Sequence, residues 1–452
     1  MIIRAREVET VSNFLSKTVS LALTSVLALA FLGLEANAAE YWLRAGTTTL
    51  TMPDGAVIDM WGYGEDADQD LSTVDGIVTV PGPEITVPAG DTTLTIHLRN
   101  DLPVASSLMI TGQPADGTTP TFEGGRVMSF SDEAAANGGT VTYTWSNVRP
   151  GTFLYASATN PAVQVQMGLY GAMVGLLVDG PLCEPSPGGG TAYPGIIFDE
   201  DLTLLFSEID PALHAAVAAD DYGPGKGTTS TIDYDPKYFL INGAPKEAGS
   251  NPIEIGTGGD RLLIRFLNAG LQTAVPVIQG FYMNIVADDG YPTPYPAEQY
   301  SVMLTAGKTH DAIFSLECSN LPEPMASTGN FALYDRRAHR LTNNDMPGDG
   351  GMMTEFALLD QDGESIVDIC DNCLGVANAN QVDTDGDLYG NICDADLNND
   401  QYVDFGDVAP MVRAFIWQEE SGDLNSDGSV NFGDIARFLD LYDAPPGPSA
   451  LK

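Results

Sequence analysis

Along most of the chain, hydrophobic and polar residues alternate in short runs separated by turn residues. Thr92-Thr93-Leu94-Thr95-Ile96-His97-Leu98 places an apolar side chain at every second position, flanked by Pro88-Ala89-Gly90-Asp91 and Asn100-Asp101. That period of two is the signature of a strand with one buried face. Val141 to Trp145 alternates in the same way, and Leu262 to Leu267 forms an apolar run after Gly258-Gly259-Asp260. Leu169 to Val178 is almost continuously apolar, as a strand covered on both faces would be. Strands at this spacing, from about Tyr41 to Leu359, predict β-sandwiches. The Pro- and Gly-rich stretch 183–194 divides them into two halves, 39–182 and 195–360. Near the C-terminus the period changes. Val408, Met411, Val412 and Phe415, and then Ile435, Phe438, Leu439 and Tyr442, fall at helical spacing and predict two amphipathic helices. The fold class expected is mainly β, two sandwiches followed by a small α-helical module.

The first 38 residues follow a different rule. Arg4, Arg6 and Lys17 precede an apolar run from Val19 to Leu34, and Ala36-Asn37-Ala38 then offers small residues around a cleavage point. This reads as a secretory signal peptide, with the mature chain beginning near Ala39. As a membrane anchor the run is short, and no basic cluster follows it. No later stretch reaches about 18 consecutive apolar residues. The expectation is an exported protein, extracellular, at the cell surface or periplasmic, with no membrane insertion after cleavage and with disulfides allowed.

Charge sharpens this picture. The 452 residues include 62 Asp and Glu against 19 Lys and Arg, a net charge of −43. Such a chain lacks the basic surface that nucleic acid or anionic lipid requires. With 44% hydrophobic residues it can still build cores. From about Asp360 onward Lys and Arg nearly vanish, while Asp and Asn recur at fixed spacing.

Three segments share one twelve-residue frame. Side-chain oxygens stand at positions 1, 3, 5, 9 and 12, and position 7 can offer its backbone carbonyl. In the first loop the six positions are Asp383, Asp385, Asp387, Tyr389, Asn391 and Asp394; in the second, Asp396, Asn398, Asp400, Tyr402, Asp404 and Asp407; in the third, Asp423, Asn425, Asp427, Ser429, Asn431 and Asp434. This is the spacing of EF-hand-type calcium ligands, and clustered carboxylates repel unless a cation sits among them. An acidic solvated surface would have no reason to repeat the frame. Asp replaces the usual Glu at position 12, and Gln401 replaces the favoured Gly at position 6 of the second loop.

The second and third loops, each followed by a helical pattern, closely resemble a dockerin type I module (395–443), whose relatives bind cohesin domains. The resemblance implies a cohesin-like or cell-surface partner. It also assigns partner selection to the residues before position 12, here Phe405-Gly406 and Phe432-Gly433 in place of the Ser/Thr common in cellulosomal dockerins. The stretch 368–394, with Asp371-Asn372-Cys373 and Cys393-Asp394, resembles a thrombospondin type 3 repeat. That resemblance implies a calcium-wrapped segment clipped by a Cys373–Cys393 disulfide, leaving Cys183, Cys318 and Cys370 with one odd thiol. A zinc or redox site at Cys370 and Cys373 lacks a second Cys/His pair. Residues 444–452 read as a tail.

Blocks in the sandwich region resemble the multicopper oxidases. Pro81-Gly82-Pro83-Glu84-Ile85, Leu98-Arg99-Asn100-Asp101-Leu102 and Gly151-Thr152-Phe153-Leu154-Tyr155 are similar to the opening cupredoxin domain, and Ile241-Asn242-Gly243, Asn268-Ala269-Gly270 and Asp288-Asp289-Gly290 to the second. The resemblance implies two Greek-key cupredoxin sandwiches. It also places His-x-His pairs where this chain has Met109 and Thr111, and Ala156 and Ala158. The chain holds four histidines, His97, His214, His310 and His339, far fewer than the family's copper centres use. A Met-rich copper site from Met109, Met167, Met173, Met352 and Met353 competes with the ordinary use of Met as core filler.

No nucleophile elbow, zinc-protease helix or phosphate loop appears. The expectation is therefore calcium as cofactor and no copper, in a scaffold or binding protein that leans away from enzymatic activity. The alternative is a divergent copper oxidoreductase using non-standard ligands or a partner chain.

Overall fold

The computed structural model describes residues 38–451 apart from 67, 74, 178–188, 248, 256–260, 317, 319–329 and 347–349. The segment read as a signal peptide, up to its final alanine, lies outside the described residues, as does Cys183.

The first sandwich contains β1 (Ala38–Thr51), β2 (Val57–Glu65), β3 (Ile85–Val87), β4 (Thr93–Asn100), β5 (Met109–Ile110), β6 (Thr121–Glu123), β7 (Arg126–Ser129), β8 (Gly139–Trp145), β9 (Gly151–Ala156) and β10 (Tyr170–Gly175). One sheet runs β2-β1-β4-β8 and the facing one β3-β10-β9-β5. A hairpin of β11 (Gly190–Tyr193) and β12 (Ile196–Phe198) leads to the second sandwich. That sandwich holds β13 (Glu200–Ile209), β14 (Tyr238–Ile241), β15 (Ile253–Ile255), β16 (Arg261–Asn268), β17 (Pro276–Ile278), β18 (Met283–Asp288), β19 (Tyr291–Gln299), β20 (Thr309–Ser315), β21 (Asn330–Asp335) and β22 (Met353–Leu358). Its sheets run β14-β13-β16-β20-β18-β19 and β15-β22-β21-β17. Four strands of the larger sheet repeat the order of the first sandwich, including the parallel pairing of β13 with β16, which matches β1 with β4.

The alternation read from the sequence sets these strands. In β4, Leu94, Ile96, Leu98 and Asn100 are buried while the residues between them are not. Asn100 donates from Nδ2 to the carbonyls of Val104 and Ala134 and accepts from the Leu102 amide. Asn268 does the equivalent work in the second sandwich, with Gln272, Leu304 and Gly270. Each is a buried amide stapling the loops at one end of its sandwich, which satisfies backbone groups that have no ladder partner.

Strand β9 is buried along its whole length. Phe153 and Tyr155 enter the core of the first sandwich, whereas Leu154 and Ala156 join Leu205, Ile209, Leu240 and Leu267 in an apolar layer between the sandwiches. Thr309 Oγ1 donates to the Thr152 carbonyl at 2.9 Å across the same boundary. Helix α1 (Pro161–Gln164) precedes β10, and α2 (Pro211–Ala218) carries His214, whose Nδ1 lies 2.7 Å from the Asp59 carbonyl.

Three readings are corrected. The stretch 183–194 is not linker throughout, because β11 occupies Gly190–Tyr193 and Tyr193 is buried against Asp311. The helices form as α3 (Phe405–Trp417) and α4 (Phe432–Leu441), with Met411 and Phe438 packed inward as expected, but Val412, Leu439 and Tyr442 are exposed, and Ala414 and Leu441 pack inward in their place. The 444–452 segment is stitched down: Leu374 N donates to Pro448, Ala450 N to Asp371, and Val403 N to Ala444.

Candidate functional site

The second and third loops are alike in detail. In the second, Asp396 at position 1 accepts from the amides of Asp400 and Gln401, and Asp407 at position 12 accepts from Asn398 on one oxygen and Asp404 on the other. In the third, Asp423 accepts from Asp427 and Gly428, and Asp434 from Asn425 and Asn431. Position 9 is the N-cap of the following helix in both, Asp404 for α3 and Asn431 for α4, each within a capping box. The backbone thus holds the carboxylates in place, and their remaining lone pairs are free to face a cation. Asp407 and Asp434 are fully buried.

The first loop has no helix after it. Asp383 accepts from Gly386 and Leu388, and Asp383, Asp385 and Asp387 bring ligand atoms within 4.8 Å of one another. Asn391 hydrogen-bonds Thr384, and Arg437 of α4 donates to the Ile392 carbonyl, so the first loop and the two helices form one unit. In the second and third loops no three carboxylates converge as closely. Tyr389, Tyr402 and Ser429 stand at position 7 of their loops. The Cys373–Cys393 disulfide is present.

Burial pushes the Asp394 carboxyl up to about 7, with Asp387 and Asp385 adding to the shift. Burial and then Asp387 raise Asp385 as well. The neighbouring carboxylates thus raise one another, a repulsion of the kind that a bound cation reverses.

A fourth loop of the same kind escaped the sequence reading. Asp360, Asp362, Glu364, Ile366, Asp368 and Asp371 occupy positions 1, 3, 5, 7, 9 and 12. Asp360 accepts from Gly363 and Ser365, as Asp383 does from Gly386 and Leu388, and Asp362, Glu364 and Asp371 converge within 4.8 Å. Every loop turns through left-handed backbone at positions 4 and 6, with φ of 75° and 76° at Gly363 and Ser365, 76° and 77° at Gly386 and Leu388, 60° and 74° at Asn399 and Gln401, and 54° and 85° at Ser426 and Gly428. The spacing was the available signal. It was obscured by Glu at position 5 and by a domain boundary drawn at 360. Val367 and Ile369 of this loop are packed in the second sandwich's core, and Cys370 is bonded to Cys318.

Phe405 and Phe432 stand at equivalent places, the first residues of α3 and α4, 80% and 78% exposed. Ile416 and Trp417 are exposed at the opposite end of α3.

In the sandwiches, Met109 pairs with Ala156 across β5 and β9. Thr111 donates from its amide and from Oγ1 to the Leu154 carbonyl. Ala156 and Ala158 are buried, and Met109 and Thr111 line a groove of about 490 Å³ together with Phe130 and Gln113. The structure therefore brings Met109 and Thr111 against strand β9, Met109 opposite Ala156, while Ala158 lies just beyond the end of β9.

The histidines are elsewhere. His97 stacks on Trp42 and bonds Glu40 and Thr142; His310 lies on β20, 3.8 Å from Asp288; His339 meets Phe239 edge-on. Among the described residues no histidine joins a group of three metal-binding side chains.

Two family profiles described as multicopper oxidase match residues 62–175 and 200–333. The chain carries the two-domain multicopper oxidase fold. Among solved structures it is similar to the blue copper oxidase from Nitrosomonas europaea, at 21% identity and TM-score 0.53 over 71% of this chain and 86% of that one. It is also similar to the multicopper oxidase mgLAC, at 20% identity and TM-score 0.54 over 72% and 89%. Identities this low speak to the fold alone. No curated protein matches the chain. The matched segments end before the acidic loops begin.

Proposed function

We propose that this protein is an exported calcium-binding scaffold, in which two multicopper-oxidase-type sandwiches that have lost their copper ligands are carried by a calcium-folded module that docks onto a cohesin-like or cell-surface partner. The observation that carries the calcium reading is the repeated frame of backbone-held carboxylates, identical in its turns across consecutive loops. Calcium takes six to eight oxygen ligands, and this is an all-oxygen donor set. Docking through the helices is supported by Phe405 and Phe432, large apolar side chains left in solvent at matching positions. Exposed apolar anchors of this kind are what hot spots are made of.

The residues at the copper positions do not fit a copper cluster. Ala156 and Ala158 offer methyl groups, Thr111 Oγ1 is committed to a carbonyl, and Met109 supplies a single thioether. Copper at such centres wants imidazole and thiolate. Ala156 is moreover part of the apolar layer between the sandwiches, where a methyl group is the size that packs.

Metal analysis of the purified chain tests this, after loading with calcium and copper and then desalting. One calcium per loop and no retained copper is the expected result. Stoichiometric, tightly held copper would overturn the scaffold reading in favour of an oxidoreductase.

A further inference from the structure

A group of acids outside the C-terminal module repeats its geometry. Asp66, Asp68 and Asp70 follow β2 on the rim of the first sandwich, and their ligand atoms lie within 4.8 Å of one another. Asp66 is 1% exposed, and among the described residues neither of its carboxylate oxygens makes a hydrogen bond of ordinary geometry; the Asp70 backbone approaches it only weakly. A buried carboxylate left this way is costly unless something charged meets it.

The backbone points the same way. Counting Asp66 as position 1, the acids stand at 1, 3 and 5, and Gln69 and Leu71 at positions 4 and 6 are left-handed, with φ of 60° and 54°. Neither is Gly, so both conformations cost energy and need support from their surroundings. Positions 4 and 6 are left-handed in each of the four C-terminal loops as well.

We propose that Asp66, Asp68 and Asp70 form a calcium site in the first sandwich. The donors are all carboxylate oxygens, with no nitrogen or sulfur to favour a transition metal. The site is built on a rigid base: the Asp66 amide donates to the Trp42 carbonyl of β1, and Arg99 Nη1 of β4 donates to the Leu71 carbonyl at 2.6 Å. Asp70 accepts from the amide and hydroxyl of Ser72, and Asp68 from Thr73 Oγ1, which leaves lone pairs on both for the ion. Calcium would neutralise Asp66 and clamp the 66–75 loop onto strands β1 and β4. With three carboxylates and a half-exposed rim, the affinity belongs to the range of extracellular modules, about 10⁻⁴–10⁻³ M.

Hydrogen exchange on the full chain, with calcium chloride against EDTA, tests the site locally. At calcium about ten times the dissociation constant, amides of the 66–75 loop are expected to exchange about tenfold more slowly. The exposed double variant Asp68→Asn/Asp70→Asn should lose that response while peptides over 383–434 keep theirs. Equal exchange of the 66–75 loop with and without calcium in the unaltered chain would overturn the proposal, as would an undiminished response in the variant. A response here with none at 383–434 would instead sink the C-terminal calcium reading and leave this site standing.

Discussion

Asp407 accepts backbone hydrogen bonds on both carboxylate oxygens, from Asn398 at 3.0 Å and from Asp404 at 2.9 Å, while occupying position 12 of the second acidic loop. One residue thus closes the loop and starts the helix. Asp407→Ala leaves both amides without a charged acceptor and should destabilise the module by about 3 kcal/mol. It should also remove calcium from that loop; melting with and without calcium, and equilibrium dialysis, would read the two effects. A change under about 0.5 kcal/mol, as for an ordinary surface site, would contradict this account. His214 gives a pH prediction. It is 2% exposed, and burial lowers its pKa below the ordinary 6.5. The unfolded chain takes up a proton near that value and the folded chain does not, so its contribution is complete above pH 6.5 and falls away as pH drops below it. Urea midpoints compared at about pH 7 and pH 5 should fall less in His214→Gln than in the parent chain.

At the scale of elements, α3 and α4 are too short to persist alone in water. Their packing partners are Ala395, Val403, Leu424 and Val430, all of which belong to the loops or the turns between them. On the calcium reading proposed above, removing the ion lets the carboxylates repel and the loops that carry these partners loosen. EDTA is therefore expected to abolish the helical far-UV signal and the exchange protection of α3 and α4, while the near-UV signal of the sandwiches persists. Helices that survive EDTA unchanged would show that the apolar contacts suffice. The 360–371 loop should resist EDTA best, because Val367 and Ile369 sit in the second sandwich's core and Cys370 is bonded to Cys318.

At the scale of the whole molecule, the decisive feature is that β9 is buried on both faces. The side chain of Ala156 is held between two sandwiches, with Met52, Leu240 and Leu267 in the same layer. Ala156→His would return the residue type that the multicopper oxidase resemblance places there. It should overpack this layer and destabilise the pair of sandwiches by about 1–3 kcal/mol, with no copper gained. Chemical denaturation and metal content measured on the same sample would check both parts. Unchanged stability together with bound copper would mean that the layer is looser than its burial indicates.

Strand alternation, the division into two sandwiches and the repeated twelve-residue acidic frame were all legible in the sequence, because each depends on residues close together along the chain. The frame is a local device: its ligands, its left-handed turns and its capping residues lie within twelve positions, and Asp383 to Asp394 can be read from one line of text. Helix existence was legible too, but which side faces inward was not, since Val412 and Leu439 are as apolar as the residues that pack. Tertiary structure alone decided what depends on distant partners. It paired Cys318 with Cys370 across 52 residues, placed Ala156 between the sandwiches, and buried Asp66 beside two other acids. Burial is a property of what a residue meets in space, and sequence spacing carries that information only when the partner is a near neighbour in the chain.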